Sequence, residues 1–306
     1  MRFAIAVLLF VCFIGSAEAG VPARARLSED IRPVAYRVDL AIVPDQARFS
    51  GHVEIDIELK DPSRTVHLHG RGLNVRSVVA ELGKTRMTGR WTQVDPLGDA
   101  MVTFPSALPK GKARLVFDYD APFAEGPAGL YRVKVGNDWY AWTQFQAIDA
   151  RAAFPSFDQP GFKTPYTVSL AIPAGQSAIS NARETSVEKH GPLVRHRFAT
   201  TKPLPTYLVA FAVGPFDVIE GTVAPTPQRK RPLPLRIVAT KGQTQKLRYA
   251  LAETPRILTL LEDYFDTPFP FDKLDQIASP VMGGAMENAG APIYDDGILC
   301  PASVEM

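Results

Sequence analysis

The sequence predicts a mainly β protein built around an antiparallel β-sandwich. Three observations carry this. Apolar and polar residues alternate with a period of two over many short segments, as in strands with one buried and one wet face. Turn signals separate those segments, among them Pro44-Asp45, Asp61-Pro62, Gly136-Asn137 and Gly191-Pro192. Prolines (27) outnumber glycines (22), which favours strands and bends over long helices. Alternating strands with polar connections fit an antiparallel sandwich better than a parallel α/β sheet.

The chain opens on a segment that reads as an address. Arg2 precedes an apolar run from Ala4 to Ile14, and Ala17-Glu18-Ala19 offers small residues where a signal peptidase cuts. The run is shorter than the roughly 20 apolar residues a membrane span needs. Residues 1–19 are therefore expected to be a signal peptide. The mature chain is then exported to the periplasm or the exterior, with no stable membrane anchor left. Cys12 would leave with the signal, so Cys300 would be the remaining cysteine and no intrachain disulfide could form.

Strands follow in order. They are marked by Tyr36/Val38/Leu40, by Val53/Ile55/Ile57/Leu59 against Glu54/Asp56/Glu58, by Leu115/Phe117/Tyr119, Tyr131/Val133/Val135 and Tyr166/Val168/Leu170, and by Tyr207/Val209/Phe211/Val213. They assign residues 20–224 to the sandwich. From Gly221 to Pro234 the composition shifts, with four prolines and the Arg229-Lys230-Arg231 cluster. This stretch reads as a solvated linker, with a domain boundary near residue 225 and a second unit over 225–306. Beyond it Leu247, Leu251, Thr254, Leu258, Leu261 and Phe265 recur every three or four residues. That is one face of a helix, which Pro255 is expected to kink or split.

Composition excludes several functions. With 46% hydrophobic and 22% charged residues the chain is not a disordered tail. A formal charge of +2 gives no electrostatic case for nucleic acid. There is no G-x-S-x-G and no phosphate loop.

Two segments set polar residues among small and apolar ones. The first is Thr143-Gln144-Phe145-Gln146, followed by Asp149-Ala150-Arg151 and Phe154-Pro155-Ser156-Phe157-Asp158-Gln159-Pro160. On a strand Gln144 and Gln146 would share a face and could offer two amides to one ligand, although such pairs more often face solvent. Asp149 and Arg151 read as a structural ion pair. The second is Gly283-Gly284-Ala285-Met286-Glu287-Asn288-Ala289-Gly290. Its small residues allow close backbone approach around a single carboxylate that could pair with an ammonium group; a capped glycine-rich turn is the plainer reading.

The string GGAMENAG, the segment TQFQAIDARAAFPSFDQPGFK and the stretch YFDTPFPFDKLD resemble, in order and spacing, the aminopeptidase N family of zinc metallopeptidases, the gluzincins. Arg32-Pro33-Val34-Ala35-Tyr36 and Phe49-Ser50-Gly51 resemble its first strands, so the likeness covers residues 27–306. It implies a saddle-like β-sandwich followed by the incomplete start of a thermolysin-like α+β catalytic domain. It implies that Glu287, within Gly284–Asn288, binds the free α-amine of a peptide substrate. The backbone of Gly284, Ala285 and Met286 would pair with the substrate main chain, and Asn288 closes the motif. Gln144 matches a residue bordering the first specificity pocket. Gln146 stands where many members carry a second amine-binding Glu, so the amine site would hold one carboxylate fewer.

The departure lies in the metal site. The family holds zinc on an H-E-x-x-H helix, expected roughly 25–35 residues after the amine-binding motif. Here 18 residues follow Asn288 and contain no histidine. The five histidines, His52, His67, His69, His190 and His196, all lie in the β region. His67 and His69 could share a strand face, but no third ligand is evident, and ordinary strand histidines are the expectation. The sequence therefore implies zinc in the full-length family enzyme, and no metal and no catalytic residue in this chain alone. It reads as the N-terminal part of a secreted aminopeptidase acting on peptides with a free N-terminus, inactive alone, with a second chain carrying the zinc site as another possibility. The alternative is a non-catalytic β-sandwich module that binds peptide N-termini or a partner protein.

Overall fold

A computed structural model describes residues 26–301. The expected signal peptide, residues 1–19, lies outside the described residues.

Four sheets and one long helix stack so that successive layers share faces. An eight-stranded sheet runs in the order Glu184–His190, Leu193–Phe198, Tyr166–Pro173, Ile31–Ala41, Arg48–Leu59, Gly111–Pro122, Asn74–Leu82 and Thr85–Thr88. A three-stranded sheet (Ser63–His69, Asp99–Leu108, Arg90–Gln93) and a four-stranded sheet (Ser177–Ser180, Phe211–Gly214, Asp138–Gln144, Gly129–Val135) supply its partners. Every strand pair in these three sheets is antiparallel except one: Ile31–Ala41 runs parallel to Tyr166–Pro173, with Tyr36 opposite Tyr166.

The alternation seen in the sequence becomes the first core. Val38, Val53, Ile55, Leu115 and Phe117 from the large sheet pack with Val66, Leu68, Val102 and Phe104 from the small one, and with Ala141 and Val213 from the four-stranded one. Gly51 stands opposite Tyr119, and a side chain there would meet the tyrosine ring at 2.4 Å. The missing Cβ lets Tyr119 lie across the strand and donate its hydroxyl to the Ala153 carbonyl (2.7 Å).

Residues one step along the four-stranded sheet face the other way. Tyr131, Tyr140, Trp142, Ile179 and Ala212 form a second core with Val238, Ile277, Met286 and Ile293 of a five-stranded sheet. That sheet runs Asp217–Val223, Leu233–Ala239, Leu274–Ser279, Ile293–Asp295 and Ala285–Met286, and mixes parallel and antiparallel pairs. Its opposite face, with Leu235, Ile237 and Leu274, packs on Leu247 and Leu258 of the helix Leu247–Phe265. The strand Leu274–Ser279 is covered on both sides, so all six of its residues are buried. Its polar Asp275, Gln276 and Ser279 have side-chain partners in Arg236, Thr254 and Tyr131.

Three expectations change in the structure. Residues 221–234 are not a solvated linker: Asp217–Val223 pairs in full register with Leu233–Ala239, and Arg229 in the connecting loop is 8% exposed. The pattern at 207–213 yields a short strand, Phe211–Gly214, preceded by a 3-10 turn at Thr206–Leu208, because the Thr206 hydroxyl is drawn to the buried Asp158 carboxylate (2.6 Å). The helix is not split at Pro255 but runs unbroken for 19 residues. Its inward face is Leu247, Leu251, Thr254, Leu258 and Glu262, while Leu261 and Phe265 are turned out. Glu262 takes the place the pattern gave to Leu261, since its carboxylate is the hydrogen-bond partner of Thr226, Arg229 and the Phe269 amide.

Candidate functional site

The segment Gly283–Gly290 crosses the free edge of the five-stranded sheet. Ala285 and Met286 pair with Tyr294 and Ile293, and among the described residues no strand lies beyond them. Gly284 has a φ of 84°, a conformation glycine adopts without strain, and its carbonyl accepts the Asp295 amide (2.7 Å). Nothing lies within 4 Å of where its Cβ would be, so the glycine serves the backbone turn rather than a tight contact. Met286 then points into the second core and Glu287 faces solvent. Asn288 is buried, and its carbonyl accepts the Ala291 amide (3.0 Å).

Ala285, Met286, Glu287 and Asn288 line one wall of a groove of 430 Å³. The outward flank of the helix, with Ile257 and Leu261, and Phe269, Phe271 and Tyr294 complete it. The groove is mostly apolar. Its exceptions include the Glu287 carboxylate, which has no hydrogen-bond or ion-pair partner among the described residues, and the Asn288 amide, whose Nδ2 is buried without a partner. A free carboxylate beside an open strand edge can take a cation and an extended backbone together.

Gln144 and Gln146 stand elsewhere. Gln144 ends its strand opposite Gly129, and its Oε1 is buried without a partner. Gln146 lies beyond the strand end, exposed in a turn, so the two amides are not successive positions on one strand face. Neither lines the groove. The two segments meet through the residues between: Trp142 shares the second core with Met286, and Phe145 shares the first with Ala289.

Asp149 and Arg151 do not pair with each other. Asp149 takes Arg71, and Arg151 turns inward to Asp158 (3.0 Å). The 3-10 turn Ala150–Ala152 separates their directions. Asp158 is the hub of this region, for its amide also donates to His69 Nδ1 (3.1 Å). His69 is therefore a neutral acceptor. Burial, reinforced by Arg151, lowers its pKa to about 3.

The linkage is explicit. In the unfolded chain the imidazole protonates near pH 6.5, while the folded protein resists until about pH 3, so stability falls as pH drops through that window. Wild-type protein is expected to lose about 2 kcal/mol between pH 6.5 and 5 from this group. Urea midpoints of wild type and His69→Phe measured at both pH values check it. Equal losses in the two proteins would refute it.

Sequence reasoning passed over the anchor of the Glu287 segment. The Lys273 ammonium is buried and donates to the carbonyls of Ser180 (2.6 Å) and Gly290 (2.8 Å) and to Asp275 (2.7 Å). Asp275 in turn accepts two bonds from Arg236 (2.8 and 2.6 Å). Asn181 donates to the Ala289 carbonyl (3.0 Å). Lys273 and Asp275 stand at the head of a strand that is buried throughout, where charge has no place unless it is paired.

Among the described residues no group of three or more His, Cys, Asp or Glu side chains is placed to hold a metal ion, so these residues do not make a zinc site. No helix among them is long and apolar enough to cross a membrane.

Comparison with known proteins agrees with a β-rich N-terminal domain of this kind. A family model described as the peptidase M1 N-terminal domain matches residues 32–208. The chain is 29% identical over 289 residues to aminopeptidase N of Acetobacter pasteurianus, covering 90% of this chain and 78% of that protein. It is 31% identical over 283 residues to aminopeptidase M1-B of Oryza sativa subsp. japonica, covering 90% and 31%. To the puromycin-sensitive aminopeptidase of Caenorhabditis elegans it is 30% identical over 294 residues, covering 92% and 30%. The chain thus spans under a third of the rice and nematode proteins. A family model that matches more than half of the chain, with aminopeptidase relatives aligned over 90% or more of it, identifies the chain as a member of the peptidase M1 aminopeptidase family.

Proposed function

We propose that this chain supplies the amine-binding side of a secreted, zinc-dependent aminopeptidase that removes N-terminal residues from peptides. One observation supports this above the others: an unpartnered carboxylate, Glu287, beside an open strand edge in an apolar groove. A peptide α-amine has a pKa of about 8 and is largely a cation at neutral pH. Its pairing with Glu287 favours chains with a free N-terminus over acylated ones. The exposed edge at Ala285–Met286 offers backbone groups to an extended substrate, as an added strand would. Gln144 borders the pocket for the first side chain in this reading. Gln146, outside the groove itself, stands by resemblance where many members carry a second amine-binding carboxylate.

The described residues offer no donor set for zinc, so no step is assigned to the metal here. In this reading the zinc helix implied by the family resemblance comes from further sequence or a second chain. Export to the periplasm or exterior belongs to the same proposal and rests on the segment Arg2–Ala19.

The test is selective binding. The full chain is titrated with trialanine and with N-acetyl-trialanine, and the ratio of the two affinities is measured. Wild type is expected to favour the free amine about tenfold, as one charge-assisted pair would give. Glu287→Gln should bring the ratio to about one, and Gln146→Glu should raise it. Equal affinities in wild type, or a ratio indifferent to Glu287→Gln, would refute the reading.

A further inference from the structure

The segment bearing Glu287 is held at two ends by different parts of the molecule. Its N-terminal end is paired into the five-stranded sheet through Ala285 and Met286. Its C-terminal end, Ala289–Gly290, returns toward the four-stranded sheet of the sandwich. There the Gly290 carbonyl accepts both Lys273 Nζ and the Asp275 amide (2.8 and 3.0 Å), and the Ala289 carbonyl accepts Asn181. The same ammonium donates to Ser180, the last residue of the sandwich strand Ser177–Ser180. Gly290 sits at a φ of 67°, and a side chain on it would meet the Asn181 carbonyl at 2.8 Å, so the backbone is closed in on that side as well.

We propose that Lys273 is a positioning residue for Glu287: it ties the end of the amine-binding segment to the sandwich and so fixes where the carboxylate stands relative to the strand edge. This rests on the reading of Glu287 as the amine-binding group. Three features argue for positioning rather than for simple core support. Two of the three acceptors of Lys273 are main-chain carbonyls from separate sheets or their connections, so the ammonium acts as a cross-link between layers. An ammonium with three donors suits that task, where an apolar side chain would leave carbonyls unpaired. Only two residues, Asn288 and Ala289, separate Gly290 from Glu287, too few to absorb a displaced anchor without moving the carboxylate. Burial lowers the Lys273 pKa to about 8, with Asp275 opposing, and the group is therefore mainly the cation at neutral pH.

Lys273→Met removes the ammonium's bonds to Ser180 and Gly290, leaving Asn181 on Ala289 and the Asp275 amide on Gly290. Asp275 keeps its two bonds from Arg236, so no carboxylate is stranded. At pH 7 the ratio of trialanine to N-acetyl-trialanine affinity in the full chain is expected to fall about tenfold in this variant, toward one. Affinity for the acetylated peptide, which does not use Glu287, should stay within about twofold of wild type. A merely structural role would weaken both peptides together and leave the ratio unchanged. If Lys273→Met does not fold, Lys273→Gln, which can still donate to one carbonyl, carries the same expectation. A wild-type preference for the free amine that survives in the folded variant overturns the role of Lys273 alone. A wild type with no preference overturns the Glu287 reading, and this inference with it.

Discussion

Glu262→Ala should destabilise the protein by about 3–5 kcal/mol, the usual cost of breaking a buried ion pair from one side. Glu262 is 2% exposed and Arg229 is 8% exposed, and they meet at 2.9 Å. The carboxylate also accepts the Thr226 hydroxyl (2.8 Å) and the Phe269 amide (2.8 Å). It therefore joins the helix, the loop between the first two strands of the five-stranded sheet, and the turn leading to the next strand. Burial pushes its pKa up, but the Phe269 amide, Thr226 and Arg229 outweigh that and hold it below the ordinary value. Truncation would leave a buried guanidinium with only the carbonyls of Ala224 and Arg231. Chemical denaturation with a Glu262→Gln control separates charge from shape. A loss below about 1 kcal/mol in Glu262→Ala would mean that the pair behaves as a surface bridge.

A loss of similar size, about 3–5 kcal/mol, is expected for Asp158→Ala. Asp158 is 1% exposed and accepts bonds from Thr206 Oγ1 (2.6 Å), Arg151 Nε (3.0 Å) and the Arg151 amide (3.2 Å). It thereby connects the turn after the strand Asp138–Gln144 to the 3-10 turn at Thr206–Leu208. Removing it frees Arg151 in the interior, with carbonyls as its remaining partners. Replacing both residues, as Asp158→Ala with Arg151→Met, should recover part of the loss, because no uncompensated charge then remains. A double variant no more stable than Asp158→Ala would show that the hydrogen bonds to Thr206 matter more than the charge on Arg151. Thermal and urea unfolding of the three proteins decide between these outcomes.

How much of this was legible in the sequence depends on where the information lies. The strands at 36–40, 53–59, 115–119 and 131–135 could be read because burial on alternate faces writes a period of two into the residues themselves. The sheet pairing of 217–223 with 233–239 could not, because prolines and a basic cluster in the loop hid the strands on either side. Helical spacing found the helix but put Leu261 on the inward face. A hydrophobicity pattern assigns carboxylates to water, and Glu262 is buried for its partners rather than its polarity. Asp149 and Arg151 were matched by proximity along the chain, whereas their partners, Arg71 and Asp158, are decided by a 3-10 turn. The Glu287 segment was recognised whole by its resemblance. Its anchor was not, since Lys273 comes together with Ser180 and Asn181 only after the four-stranded and five-stranded sheets have stacked.

The parallel pairing of Ile31–Ala41 with Tyr166–Pro173 sets an order in time. As the chain is made, the first strand gains a neighbour quickly, because Arg48–Leu59 follows directly and pairs antiparallel. Its other edge stays open until residue 166 and beyond have arrived. Through that interval the growing sheet presents unpaired amides and carbonyls flanked by Tyr36, Val38 and Leu40, the kind of edge on which chains associate wrongly. Long-range pairing of this type is also slow to form. Until residue 166 and beyond are available to close that edge, the growing sheet offers a neighbouring chain a place to add a strand.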